Sequence, residues 1–178
     1  QDEFQEYSRT TLELLDTMRQ SVMDGCKGFY MCYQPVVEAD TGKIIGMEAL
    51  LRWNREPFGE VPPGRFIPWL ENDPCFFELG NWILEQALTE GKHIIEQNPE
   101  FVINVNVSAT QLERRKFRDS VMEILHKTGF PASNLCLELT ERCRAMDKEY
   151  LKEELEEQDR INNYIRGYNE QVSKIFVN

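Results

Sequence analysis

Lys43-Ile44-Ile45-Gly46-Met47-Glu48-Ala49-Leu50-Leu51-Arg52-Trp53 is the stretch on which the fold turns. It reads as a β-strand. Just before it, Asp40-Thr41-Gly42 is a turn signal, and Phe29 to Glu38 is a second strand segment rich in aromatics and valine. Two strands joined by such a turn form a β-hairpin. Farther upstream Gly25 and Gly28 punctuate the chain. Before them Phe4, Tyr7, Leu14, Leu15, Met18 and Val22 recur at three- and four-residue steps, with one gap at Thr11. That spacing predicts an amphipathic helix from about Glu3 to Met23.

Downstream of the hairpin, Gly59 to Pro63 reads as a proline-bearing loop. Phe76 to Gln97 is a helix with Leu79, Trp82, Ile83, Leu84, Ala87, Leu88 and Ile94 as its apolar set. Phe101 to Val107 alternates as a strand, and Ala109 to Thr128 is helical again. Gly129, Pro131 and Ser133 break that helix before a last strand, Leu135 to Thr140. Strand, helix, strand, helix, strand implies a parallel sheet with helices packed outside it. A chain of this length holds about half of an eight-stranded α/β barrel, which needs ~250 residues. The expected fold is therefore α/β: a partial (β/α)8 TIM-type barrel over 25–146, with an N-terminal helix over 1–24 and a long C-terminal helix over 147–178. In that last segment Leu151, Leu155, Ile161, Tyr164, Ile165, Tyr168, Val172 and Ile175 recur mostly at helical steps. The sequence leaves open whether this helix packs on its own domain or pairs with another chain.

Composition narrows the function classes. The 178 residues carry a formal net charge of -11, which argues against nonspecific binding to nucleic acid polymers or anionic membranes. It does not forbid a nucleotide ligand, because one local metal or arginine site binds phosphate inside an acidic protein. The five cysteines are Cys26, Cys32, Cys75, Cys136 and Cys143, with no C-x-x-C pair, so reduced cytoplasmic thiols are expected. His93 and His126 are far apart and sit in helix-like stretches. No run approaches the ~20 apolar residues of a membrane span, and the polar, acidic start shows no signal peptide. The chain begins at Gln1, as a piece cut from a longer protein would.

Three strand-end segments stand out chemically: Gly46 to Trp53, Asn104-Val105-Asn106-Val107-Ser108, and Glu138-Leu139-Thr140-Glu141. Each sets carboxylates or amides among apolar residues, where burial is costly unless the polar group is satisfied. These groups either face solvent on alternating strands, or converge at the carboxyl rim of a parallel sheet. There, oxygen ligands suit Mg²⁺ or Mn²⁺.

Glu48-Ala49-Leu50-Leu51-Arg52-Trp53 resembles the signature that names the EAL family. Five further segments resemble the family in the same order: Tyr33-Gln34-Pro35-Val36-Val37, Gly59 to Pro63 with Phe66-Ile67-Pro68, Leu79 to Leu84, Asn106 to Leu112, and Glu138 to Glu141. The resemblance covers roughly Met18 to Met146. It implies a variant (β/α)8 barrel that hydrolyses cyclic di-GMP to a linear dinucleotide with Mg²⁺ or Mn²⁺. By resemblance, Glu48, Asn106 and Glu138 are metal ligands, and Gln34 and Arg52 contact the dinucleotide. Leu51 and Pro63 line the substrate groove, and Glu141 braces the active-site loop.

The same resemblance marks what this sequence lacks. A strand ending in a D-D-F-G-like aspartate pair, a K-I-D strand and a later glutamate belong after Glu141, and none is found. Ile165-Arg166-Gly167-Tyr168-Asn169 stands where the aspartate pair is expected. The chain is thus expected to be inactive, to bind cyclic di-GMP weakly or not at all, and to cover its open sheet as a homodimer or with its terminal helix. A non-catalytic cyclic di-GMP-binding or regulatory module is the alternative.

Overall fold

The structure, a computed structural model, describes residues 2–112 and 116–139. Its elements are α1 (Asp2–Met23), β1 (Phe29–Val37), β2 (Ile44–Arg55), β3 (Gly59–Val61), α2 (Pro63–Leu70), α3 (Phe76–Gln97), β4 (Val102–Val107), α4 (Ala109–Leu112), α5 (Phe117–Thr128) and β5 (Leu135–Leu139). The C-terminal helix expected over 147–178, and Glu141, lie outside the described residues.

The expected hairpin is present, with β1 antiparallel to β2 and Gln34 opposite Glu48. β2, β4 and β5 then run parallel, in the sheet order β1-β2-β4-β5. Their connections run through α3 and through α4 and α5, so the strand–helix–strand reading holds.

Period-two alternation divides the sheet into two faces. On β2, Met47, Ala49, Leu51 and Trp53 are buried, while Glu48, Leu50 and Arg52 are half-buried. The buried set of β2, with Ile103, Val105 and Val107 of β4 and Leu137 of β5, meets the helices. Leu84, Ala87, Leu88 and Ile95 of α3 and Val121, Ile124 and Leu125 of α5 close the larger cluster. Gly91 lets α3 lie close against β4: a Cβ there would sit 2.7 Å from Ile103 Cδ1. The second cluster joins α1 and α2 to the far end of the hairpin, with Met18, Phe66 and Trp53 fully buried.

Polar contacts tie α1 down. Ser21 is fully buried, and its Oγ accepts from Trp53 Nε1 at 3.3 Å and from Arg55 Nη1 at 2.7 Å. Arg19 of α1 also donates to Asp73 in the loop before α3.

One segment departs from the sequence reading. The expected loop Gly59–Pro63 instead holds the short strand β3, paired with the end of β2, and leads straight into α2. Pro63 occupies the start of α2, where a missing N–H costs nothing. Within the stretch Ala109 to Thr128 expected to be helical, helix is described over Ala109–Leu112 and Phe117–Thr128.

Candidate functional site

The face of the sheet away from the helices carries the polar residues. Glu48 on β2 is level with Asn104 on β4, and Asn106 is level with Glu138 on β5. Asn106 and Glu138 stand at the carboxyl ends of their strands, and the longer Glu48 side chain reaches up to them. Asn106 Nδ2 donates to Glu48 Oε1 at 2.7 Å, joining residues 58 apart in sequence. Glu138 is half-buried beside them. Burial first, and then the negative charge of Glu48, push its carboxyl above the ordinary range.

Gln34 is exposed on the same face, opposite Glu48. Arg52 lies four residues farther along β2, half-buried, with Nη1 donating to the Leu51 carbonyl at 2.9 Å. Among the described residues it forms no ion pair, which leaves most of its guanidinium for an anion. Its partner across the hairpin, Tyr30, donates to Glu60 at 3.2 Å.

The structure thus brings Gln34, Glu48, Arg52, Asn106 and Glu138 to one face. It does not bring Leu51 there. Alternation turns Leu51 to the helical face, where it is 8% exposed and packs with Trp53 and Phe66. Pro63 is half-buried at the start of α2, just beyond the β2 end that β3 pairs with.

The loop after β4 has its own supports. Gln111 Oε1 accepts the Ser108 N–H at 3.1 Å, and Thr110 Oγ1 donates to the Glu71 carbonyl at 3.0 Å. Gly80 of α3 makes room for Gln111: a Cβ at Gly80 would fall on Gln111 Nε2 and 3.0 Å from its Cδ. The Gly80–Gln111 contact was not foreseen from sequence, and Asn104, which opens one of the three strand-end segments, was assigned no role of its own. For Asn104 the signal was available, because alternation in Ile103-Asn104-Val105-Asn106 puts both amides on one face.

Two carboxylates and a carboxamide form a set of hard oxygen donors. With Asn106 Nδ2 committed to Glu48, its oxygen is the end left for a ligand. Burial lifts the Glu138 carboxyl first and the Glu48 charge second, and a divalent cation between the carboxylates would offset both. The residues fit such a cation. Among the described residues, no three His, Cys, Asp or Glu side chains gather around one point, so amides must complete any such site.

An oxygen-donor cluster at the carboxyl rim of a parallel sheet, with an arginine beside it, defines an α/β barrel-type domain with a candidate cation and phosphate site. The chain belongs to the EAL domain family, whose sequence model matches residues 17–164. It is 34% identical over 137 residues to the bifunctional diguanylate cyclase/cyclic di-GMP phosphodiesterase MucR of Pseudomonas aeruginosa, covering 76% of this chain and 20% of that protein. It is 34% identical over 115 residues to the probable cyclic di-GMP phosphodiesterase PdeI of Escherichia coli, covering 63% of this chain and 15% of that one. Among solved structures it is similar to the PaMucR phosphodiesterase in complex with c-di-GMP, at 30% identity and a TM-score of 0.74. That match covers 83% of this chain and 60% of the other. The likeness makes the sheet and its helices part of a TIM-barrel-like domain. No helix among the described residues is long and apolar enough to cross a membrane.

Proposed function

We propose that this chain carries the opening part of a cyclic di-GMP phosphodiesterase site and that these 178 residues alone do not turn the dinucleotide over. Glu48, Asn106 and Glu138 hold a divalent cation, Mg²⁺ or Mn²⁺. Arg52 offers a charge-assisted fork to a phosphate, and Gln34 faces the same ligand. When bound, the cation would activate a water and stabilise charge on phosphoryl oxygens. The Asn106 amide fixes the Glu48 carboxylate in place, and Arg52 orients the phosphate toward it. Four cysteines are free among the described residues, which suits the reducing cytoplasm as the setting.

The observation that carries the reading is the 2.7 Å bond between Glu48 and Asn106 on the face that also holds Arg52. Within these 178 residues no aspartate pair and no K-I-D lysine follow Glu141. Sites that act as a unit lose most activity when one member is gone.

Hydrolysis of cyclic di-GMP with Mg²⁺ or Mn²⁺, followed by chromatography, tests the first point, and rapid formation of linear product would overturn it. Calorimetry with cyclic di-GMP tests the second. Weak binding in the presence of Mn²⁺, lost in Arg52→Ala, is expected; binding indifferent to Arg52→Ala refutes the assignment. Light scattering on the same sample tests the homodimer expected of an incomplete barrel, and a monomer mass rules it out.

A further inference from the structure

The polar face has a deeper member. Asn104 lies on β4 two residues before Asn106, about 6.6 Å lower along the strand at ~3.3 Å per residue. Register sets it between Glu48 of β2 and Cys136 of β5. It is 4% exposed, and its Oδ1 is buried without a hydrogen-bond partner among the described residues.

An orphaned buried acceptor costs about 1–3 kcal/mol. The other buried positions of β4 are Ile103, Val105 and Val107, so the strand has no general need for an amide. As a packing residue alone, Asn104 is a poor choice. As an oxygen on the face that carries Glu48, Asn106 and Glu138, it is a suitable one. Glu48 links the two levels: its backbone is beside Asn104, while its carboxylate takes the bond from Asn106 above.

We infer that Asn104 is the floor of the cation site, giving its amide oxygen to the divalent ion or to a water of the ion's shell. The inference rests on the cation reading of Glu48, Asn106 and Glu138. It adds a fourth oxygen, from a position that the order of motifs does not single out. Outer partners of this kind typically change metal affinity about 10- to 100-fold.

The test is Mn²⁺ binding to the full chain, by calorimetry and by the Mn²⁺-dependent rise in Tm. Asn104→Leu keeps the branched shape of the side chain, at a somewhat larger volume, and removes the orphaned acceptor. Without metal its Tm is expected to equal or exceed that of the wild type, while its Mn²⁺ affinity falls at least tenfold. Asn104→Asp restores an oxygen and adds charge, and is expected to bind Mn²⁺ at least as tightly as the wild type. Asn104→Ser stays polar but loses reach, so it should bind about tenfold more weakly, which keeps the test alive if the leucine variant does not fold. Wild-type Mn²⁺ affinity in the leucine or serine variant overturns the inference while leaving the cation reading standing. No Mn²⁺ binding by the wild-type chain overturns the cation reading and this inference together.

Discussion

Replacing Gly80 with alanine probes how the rim of the site is held. The added Cβ would land on the Gln111 side chain, which is buried and gives its Oε1 to the Ser108 N–H. Three effects compete. Overpacking a tight contact costs about 1–3 kcal/mol. Driving Gln111 aside leaves a buried N–H unpaired, for about another 1–3 kcal/mol. Alanine within a helix returns roughly 1 kcal/mol over glycine. The unfavourable effects win, by about 3 kcal/mol, and a domain of this size should lose ~6–12 °C in Tm. Urea denaturation of wild type, Gly80→Ala, Gln111→Ala and the double variant forms the cycle that isolates the contact. Gln111→Ala alone should cost about 1–3 kcal/mol through the unpaired Ser108 N–H. In the alanine-80 background the same change should cost less or even restore stability, because the clash is gone. A Gly80→Ala protein more stable than the wild type would show helix propensity winning, and would refute the packing argument.

Three other outcomes follow from polar groups. Ser21→Ala removes the acceptor shared by the Trp53 indole and Arg55 and should cost about 1–3 kcal/mol in urea denaturation; an unchanged midpoint would contradict it. The Asp73 carboxyl lies below its ordinary value: burial alone would raise it, but hydrogen bonds from Cys75 and Arg19 outweigh that. Its stabilisation is present above the ordinary carboxylate range and lost as pH falls through its folded value. Asp73→Asn should therefore lower Tm at neutral pH and match the wild type in acid; a constant gap across pH would rule out the linkage. Glu138 is shifted the other way, so its ionisation costs stability as pH rises through its folded value. Without divalent ions, Glu138→Gln should raise Tm at neutral pH and have no effect in acid; a loss of Tm at neutral pH would refute the crowding of Glu48 and Glu138.

The elements legible in the sequence were those with long periodic signals. The stripe Leu14, Met18, Val22 and the set Leu84, Ala87, Leu88 gave α1 and α3, and the hairpin followed from its turn. β3 was illegible because three residues carry no period, and a proline reads as a breaker even where, at Pro63, it opens a helix. Glu48, Asn106 and Glu138 were legible as strand-end oxygens. The bond between the first two was not, because it depends on register: Glu48 is level with Asn104, and only its length brings it to Asn106. Leu51, expected to line the groove, is placed by strand alternation beside Trp53, a position that its spacing alone does not reveal.

The double grip on Ser21 has a mechanical consequence. Turning α1 by a single residue swings the serine ~100° about the helix axis, away from both the indole and the guanidinium that hold it. The helix cannot roll in place without stripping two donors on the strand that also bears Glu48. Torque on α1 is thus delivered to that strand at Trp53 and Arg55, beyond the position of Glu48.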